Sequence, residues 1–234
     1  MKLALVINFS MLMAAPSVAF FLRKKTKKNK KNQTTTTPAT IGGGGGGQGG
    51  GQDGLAGGQR ATGALSDDEI EEILYMREEE KLARDVYFTL HNLWKNEPGA
   101  YVFSNIAQSE QKHMDSMLNM INLYALEDPV KSDATGVFTD SALDALYKSL
   151  VARGSASFKE ALYVGALVEE VDIKDLMEAI NDTDESALDK VYGSLMNASY
   201  NHLRAFVRQL DALGEKNYQS QHMTQGQVNT ILGN

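Results

Sequence analysis

The sequence predicts an all-α protein built on four long helices, and three observations carry that prediction. Apolar residues recur at every third or fourth position in four separate segments, the spacing that puts side chains on one face of an α-helix. Capping residues, prolines and glycines punctuate those segments where helices should start and stop. The connections are unequal. Short links join the first helix to the second and the third to the fourth, while about thirty residues separate the second from the third. Short links force antiparallel neighbours and a long one permits a crossover, so the expected architecture is a four-helix bundle with a long crossover between helices two and three.

The first helix opens at Ser66-Asp67-Asp68-Glu69, which has capping-box spacing and acids in its first turn, and runs until Asn96-Glu97-Pro98-Gly99 stops it. Its stripe reads Ile73, Met76, Glu80, Ala83, Tyr87, Leu90, Trp94. The second helix is expected from Tyr101 to Leu126, closed by Asp128-Pro129, with Phe103, Ile106, Glu110, His113, Met117, Met120 and Tyr124 on one face. The crossover should hold a turn at Thr135-Gly136 and a short helix over Ser141 to Ala152. The third long helix, Ser157 to about Asn181, carries Phe158, Leu162, Gly165, Glu169, Asp172 and Leu176. A parallel stripe, Ala166, Glu170, Ile173, Met177, Ile180, is equally apolar and leaves Glu169 against Glu170 open, with Glu169 preferred. The fourth helix runs from Asp184 or Glu185 to about Leu213, with Gly214 behind it and Leu188, Tyr192, Leu195, Ser199, His202, Phe206 and Leu210 inward. The folded domain is thus expected over residues 62–218, and residues 219–234, which show no strong period, as a loosely packed tail.

The chain ahead of that domain has a different composition. Met1-Lys2, the apolar run Leu3 to Ala15 and small residues ending Ser17-Val18-Ala19 read as a signal peptide over residues 1–19. Residues 20–61 are first basic and hydroxyl-rich, then mostly glycine from Gly42 to Gly58, and are expected to form a disordered linker. A signal peptide followed by an acid-free basic stretch resembles a two-part presequence for plastids bounded by extra membranes; plain secretion is the alternative, and both begin in the secretory pathway. Nine of the 23 basic residues and one of the 30 acids fall before Thr62, so 14 basic face 29 acidic residues beyond it, a formal charge of −15. That balance argues against a nucleic-acid partner. The absence of cysteine excludes iron–sulfur clusters, thiolate zinc sites and thiol catalysis. The apolar run at the N-terminus is too short for a membrane span, so the mature chain is expected to have none.

Ionisable groups interrupt all four apolar stripes. An ionised carboxylate buried without a partner costs several kcal/mol (order of magnitude), so inward acids and imidazoles on four helices need shared compensation. A metal ion supplies it. Glu110-Gln111-Lys112-His113 projects a carboxylate and an imidazole from adjacent turns, and dinuclear carboxylate centres in bundles use one Glu from each of two helices and a Glu-x-x-His from each of the other two. The candidate ligands are Glu80, Glu110, His113, Glu169, Asp172 and His202. Oxygen and imidazole donors without sulfur suit iron or manganese ions. Ser199 stands where a second Glu-x-x-His would place its carboxylate. In the competing reading, Glu80 pairs with Arg77, Arg84 or Arg204, and the stripe tyrosines Tyr87, Tyr124 and Tyr192 are core residues bonded to buried carboxylates.

The string EKLARDVY at Glu80–Tyr87 resembles the first-helix ligand motif of rubrerythrins, SEQKH at Ser109–His113 their second-helix motif, and NHLRAF at Asn201–Phe206 the region of their fourth-helix histidine. From about Leu65 to Tyr218, including GVF at Gly136, ARGS at Ala152 and VGALVEEVDIKDL at Val164, the chain most closely resembles a ferritin-like domain family of unknown function, the DUF2202 type. The resemblance implies the ferritin-like topology and carries over Glu80, Glu110, His113, Glu169 and His202 as ligands. Ser199 departs from the rubrerythrin pattern.

Three functions compete on this reading. The first is a dinuclear or degenerate mononuclear iron or manganese site, an oxidase or peroxidase acting on oxygen or hydrogen peroxide, with Ser199 leaving an open edge for the oxidant. The second is iron binding without turnover. The third is a metal-free interaction bundle whose site has decayed. Haem is not expected. Partners are metal ions and oxygen or peroxide, in a chain compatible with a homodimer.

Overall fold

In a computed structural model, residues 65–233 are described and form six α-helices, with no β-strand among the described residues. The expected signal peptide, basic segment and glycine-rich linker lie outside them. The helices are α1 (Asp67–Trp94), α2 (Tyr101–Leu123), α3 (Ser141–Gly154), α4 (Phe158–Asp182), α5 (Ser186–Ala212) and α6 (Gln225–Leu232). The expected first, second, third and fourth long helices are α1, α2, α4 and α5. None is long and apolar enough to cross a membrane.

Local sequence explains most helix ends. Ser66 accepts from the Glu69 N–H while the Glu69 side chain accepts from the Ser66 N–H, the predicted capping box. Ser157 caps α4 and Asp140 caps α3. Gly214, at φ +89°, lets the Glu215 N–H return to the Leu210 carbonyl and close α5. α2 ends earlier than the expected Leu126. Ala125 turns into the left-handed region at φ 53°, its N–H bonds to Asn122 and the Leu126 N–H to Ile121, so a Schellman closure forms without glycine. Nothing in the residue type advertises that turn.

The long helices form a helical bundle in which α1 packs on α2 and α4 on α5, with α1 also against α4 and α2 against α5. α1 and α4 run antiparallel: Thr183 donates to Glu69 at one end and Tyr87 to Glu169 at the other. One half of the bundle is filled by Ile73, Met76, Met117, Ile121, Leu176, Leu188 and Leu195. The other half is aromatic, with the rings of Tyr87, Phe103 and Phe206 in mutual contact and Phe158 beyond. Gly165 permits that packing, because a Cβ there would stand 2.4 Å from a Phe206 ring carbon. Between the two apolar halves lies a polar layer.

The crossover from α2 to α4 covers the outer face of α1. Arg77 donates to Asp128 and to the Met114 carbonyl, Glu78 accepts the Thr139 and Asp140 N–H groups, and Lys81 donates to Asp85 and the Ala134 carbonyl. Arg84 reaches Asp85, Gln111 and Asp133, and Asp85 also takes the Gly136 N–H. These contacts bury a run of charged residues that helical periodicity alone would leave in water.

The C-terminal residues, expected to pack loosely, are instead tied down. Thr224 and Gln227 form a second capping box at the start of α6, and Val228 and Ile231 are buried. Glu170 accepts from the Tyr218 hydroxyl and from the N–H groups of Gln221, His222 and Met223, anchoring this segment to α4. A single buried carboxylate does what an apolar stripe would have advertised.

Candidate metal centre

The polar layer brings Glu80 from α1, Glu110 and His113 from α2, Glu169 and Asp172 from α4, and His202 from α5 into one buried site. Glu80 is 1 % exposed, Glu110 2 % and Glu169 1 %. Two triads with closely converging donor atoms emerge, Glu80–Glu110–His113 and Glu110–Glu169–His202, and within each the donor atoms lie within 4.8 Å of one another. Glu110 belongs to both. Its Oε2 is 2.6 Å from His113 Nδ1 and its Oε1 is 2.9 Å from His202 Nδ1. Glu80 Oε2 is 3.3 Å from His113 Nδ1, and Glu169 Oε2 is 3.3 Å from His202 Nδ1. The two imidazoles are stacked, with centroids 5.5 Å apart.

Of the two acids that compete on α4, Glu169 faces this site and Glu170 faces the C-terminal segment. Asp172 joins the layer one turn from Glu169, with its Oδ2 accepting from Ser199 at 2.5 Å. Ser199, where an open edge was expected, is fully buried and its hydroxyl holds the Asp172 carboxylate. Tyr87 donates to Glu169 Oε1 at 2.5 Å, as expected of a stripe tyrosine, but the Tyr192 hydroxyl has no hydrogen-bond partner.

The arginines named as rivals are engaged elsewhere. Arg77 and Arg84 serve the crossover, while Arg204 donates to the Ile231 carbonyl and to Asn201. Glu80 Oε1 and Asp172 Oδ1 are buried without a hydrogen-bond partner, and Glu110 Oε1 and His202 Nδ1 face each other. Buried polar atoms are nearly always satisfied, so carboxylate oxygens left over around one centre fit a group that accepts their lone pairs. A divalent cation is such a group.

The electrostatics agree. Burial pushes the Glu80 carboxyl upward and His113 pulls it back, leaving it at about 7. Glu110 is also pushed up by burial, yet His202 and His113 outweigh this and hold it at about 2. Burial alone would lower both imidazoles, but Glu80 and Glu110 raise His113 to about 12, and Glu169 and Glu110 raise His202 to about 10. Asp172 is held well above the ordinary range by burial and then by Glu80, Glu169 and Glu110, and burial likewise raises Glu169. Without a metal, the layer balances its charge with protons.

Two features escaped the sequence reading. The first is the Ser199–Asp172 bond, which joins residues 27 apart on different helices. The second is Glu79, which is buried beside Glu80 with Asp175 as its strongest charged neighbour. In a run of three glutamates, Glu79 reads as solvated; its place three residues after Met76 was the available signal.

Fold and site together define a helical-bundle protein with a buried carboxylate–histidine cluster. The chain belongs to the DUF2202 family, described as an uncharacterized protein domain, whose family model matches residues 69–234. It is 46 % identical over 168 residues to the uncharacterized protein MJ0754 of Methanocaldococcus jannaschii, an alignment that covers 72 % of this chain and 88 % of that one. The crystal structure of the hypothetical protein MJ0754 superposes with a TM-score of 0.70 at 45 % identity, covering 74 % of this chain and 96 % of the other.

Proposed function

We propose that this chain is a ferritin-like four-helix bundle holding a dinuclear iron or manganese centre that reacts with oxygen or hydrogen peroxide. What supports the topology is the antiparallel pairing of α1 with α2 and of α4 with α5 across a long crossover. The observation that carries the centre is the sharing of Glu110 between two triads, one carboxylate oxygen directed to each histidine, amid buried atoms that lack partners. A bridging carboxylate presents itself in this way.

Glu80 and His113 would hold one ion, Glu169 and His202 the other, and Glu110 both. Asp172, steadied by Ser199, supplies the carboxylate missing from α5. When bound, the metals supply the redox chemistry. The residues around them exclude water, with Tyr87, Phe103 and Phe206 closing one side, and the Tyr87 hydroxyl orients Glu169 through its hydrogen bond. The reading extends to location: the signal-like N-terminus directs the chain into the secretory pathway, with a plastid as one destination and secretion as the other.

Elemental analysis of the purified chain, with peroxide turnover in the wild type and Glu110→Ala, tests the proposal. The expected result is about two iron or manganese ions per chain, turnover in the wild type, and loss of both in the variant. A folded wild type that neither binds these metals nor turns over peroxide would leave the decayed-bundle reading in its place, and metal uptake without turnover would leave non-catalytic binding.

A further inference from the structure

The carboxylates of the centre continue past it along the α1–α4 contact. Between the anchors Glu69–Thr183 and Tyr87–Glu169, Glu79 stands against Asp175, next to Asp172 and Glu80 at the edge of the centre. Glu79 is 5 % exposed, Asp175 is its strongest charged neighbour, and its Oε2 has no hydrogen-bond partner. The strongest charges acting on it are acidic: Asp175 first, then Asp172, Glu80 and Glu72. Lys174 acts on Asp175 from the neighbouring position of α4.

A buried carboxyl beside a second acid needs a proton or a cation to offset its charge. Asp175 and Glu72 are half-buried, so the row begins where water can reach it, and it ends at Asp172, whose free Oδ1 lies within the centre's own field. The donors differ from those of the centre. Glu79 and Asp175 offer oxygen alone, with no imidazole, and two carboxylates completed by water make a loose site for a hard divalent ion. A loose site passes ions on. The orphaned, buried Glu79 oxygen is the sign of a ligand that an ordinary acidic patch lacks.

We infer that Glu79 and Asp175 form a transit site for a divalent cation, delivering it through Asp172 to the centre. The inference rests on the reading of the centre given above. A cleft lined by one sign of charge raises local ion concentration and on-rates by about 10- to 1,000-fold, so neutralising this pair should act on the rate of loading rather than on the amount loaded.

The test uses the full chain and cobalt(II), with its visible absorption followed by stopped flow and final stoichiometry read by elemental analysis after dialysis. In Glu79→Gln and Asp175→Asn, loading is expected to slow by about tenfold or more and to lose most of its salt dependence, while final stoichiometry equals that of the wild type. Asp175→Glu, which keeps the charge, should restore the rate. Wild-type loading rates in both neutral variants overturn the transit site and leave the centre intact, as does a drop in stoichiometry at an unchanged rate, which would make these residues ordinary ligands. A wild type that takes up no cobalt overturns both readings, and so separates the failure of the centre from the failure of its access route.

Discussion

Two faces of the same helix bury charge in opposite ways. Toward the crossover, α1 presents Arg77, Glu78, Lys81, Arg84 and Asp85, and each meets an opposite charge or a backbone group with hydrogen-bonding geometry. Toward the bundle interior it presents Glu79 and Glu80, whose strongest charged neighbours are other acids and His113. Both faces are equally dry. The difference shows that burial of charge alone does not mark a site: the paired face is complete within the chain, and the acidic face is complete only with protons or a cation added.

Breaking the paired face should have the largest effect. Asp85 is fully buried and receives Lys81, Arg84 and the Gly136 N–H, so Asp85→Ala leaves the buried Lys81 with no carboxylate and Arg84 with Asp133 alone. Removing one partner of a buried pair costs about 3–5 kcal/mol, which urea unfolding should show as a large fall in midpoint with little change in slope. Metal content of the folded fraction should not change. Loss of metal without loss of stability would erase the distinction between the faces.

The acidic face sharpens the comparison through pH. In the metal-free chain His202 is held near 10, above its unfolded value, so its contribution to stability is complete below about 6.5 and is lost as pH rises toward 10. Glu80, held near 7, likewise favours the fold while protonated and ceases to do so between about 4.5 and 7. A metal replaces those protons. The gap in urea midpoint between metal-loaded and chelated protein should therefore widen from pH 6.5 to 9, and apparent affinity should rise by up to about tenfold per pH unit for each proton displaced. A gap that narrows with rising pH would mean that metal and protons do not compete for this layer.

Much of this was legible in the sequence, for identifiable reasons. Helical periodicity places Glu80, Glu110, His113, Glu169 and His202 on inward stripes, and the structure brings all five together because adjacent helices in a bundle share a depth. What stayed hidden depends on contacts between residues far apart in the chain. The crossover buries Lys81 and Asp85 through Ala134 and Gly136, some fifty positions on, and Glu170 is claimed by a segment with no apolar period of its own. Ser199 looked like a gap because its partner, Asp172, comes from another helix. Periodicity reports which way a side chain points, and only the packed chain reports what it meets.

A pair of tyrosines tests the same distinction at the small end of the scale. Tyr87 and Tyr192 are both buried stripe tyrosines on long helices, so burial alone assigns them equal worth. Tyr87 donates to a carboxylate of the polar layer, and Tyr192, packed among Ile73, Leu188 and Leu195 in the apolar half, leaves its hydroxyl unpartnered. Deleting a hydrogen bond to a charged acceptor costs about 1.5–3 kcal/mol, whereas deleting a buried hydroxyl that bonds to nothing removes a desolvation penalty and is close to neutral. Tyr87→Phe should accordingly lower the urea midpoint of the metal-free chain, and Tyr192→Phe should leave it within about 0.5 kcal/mol or raise it. Equal losses in the two variants would mean that the Tyr192 hydroxyl has a partner, and that the apolar half of the bundle is less dry than its packing indicates.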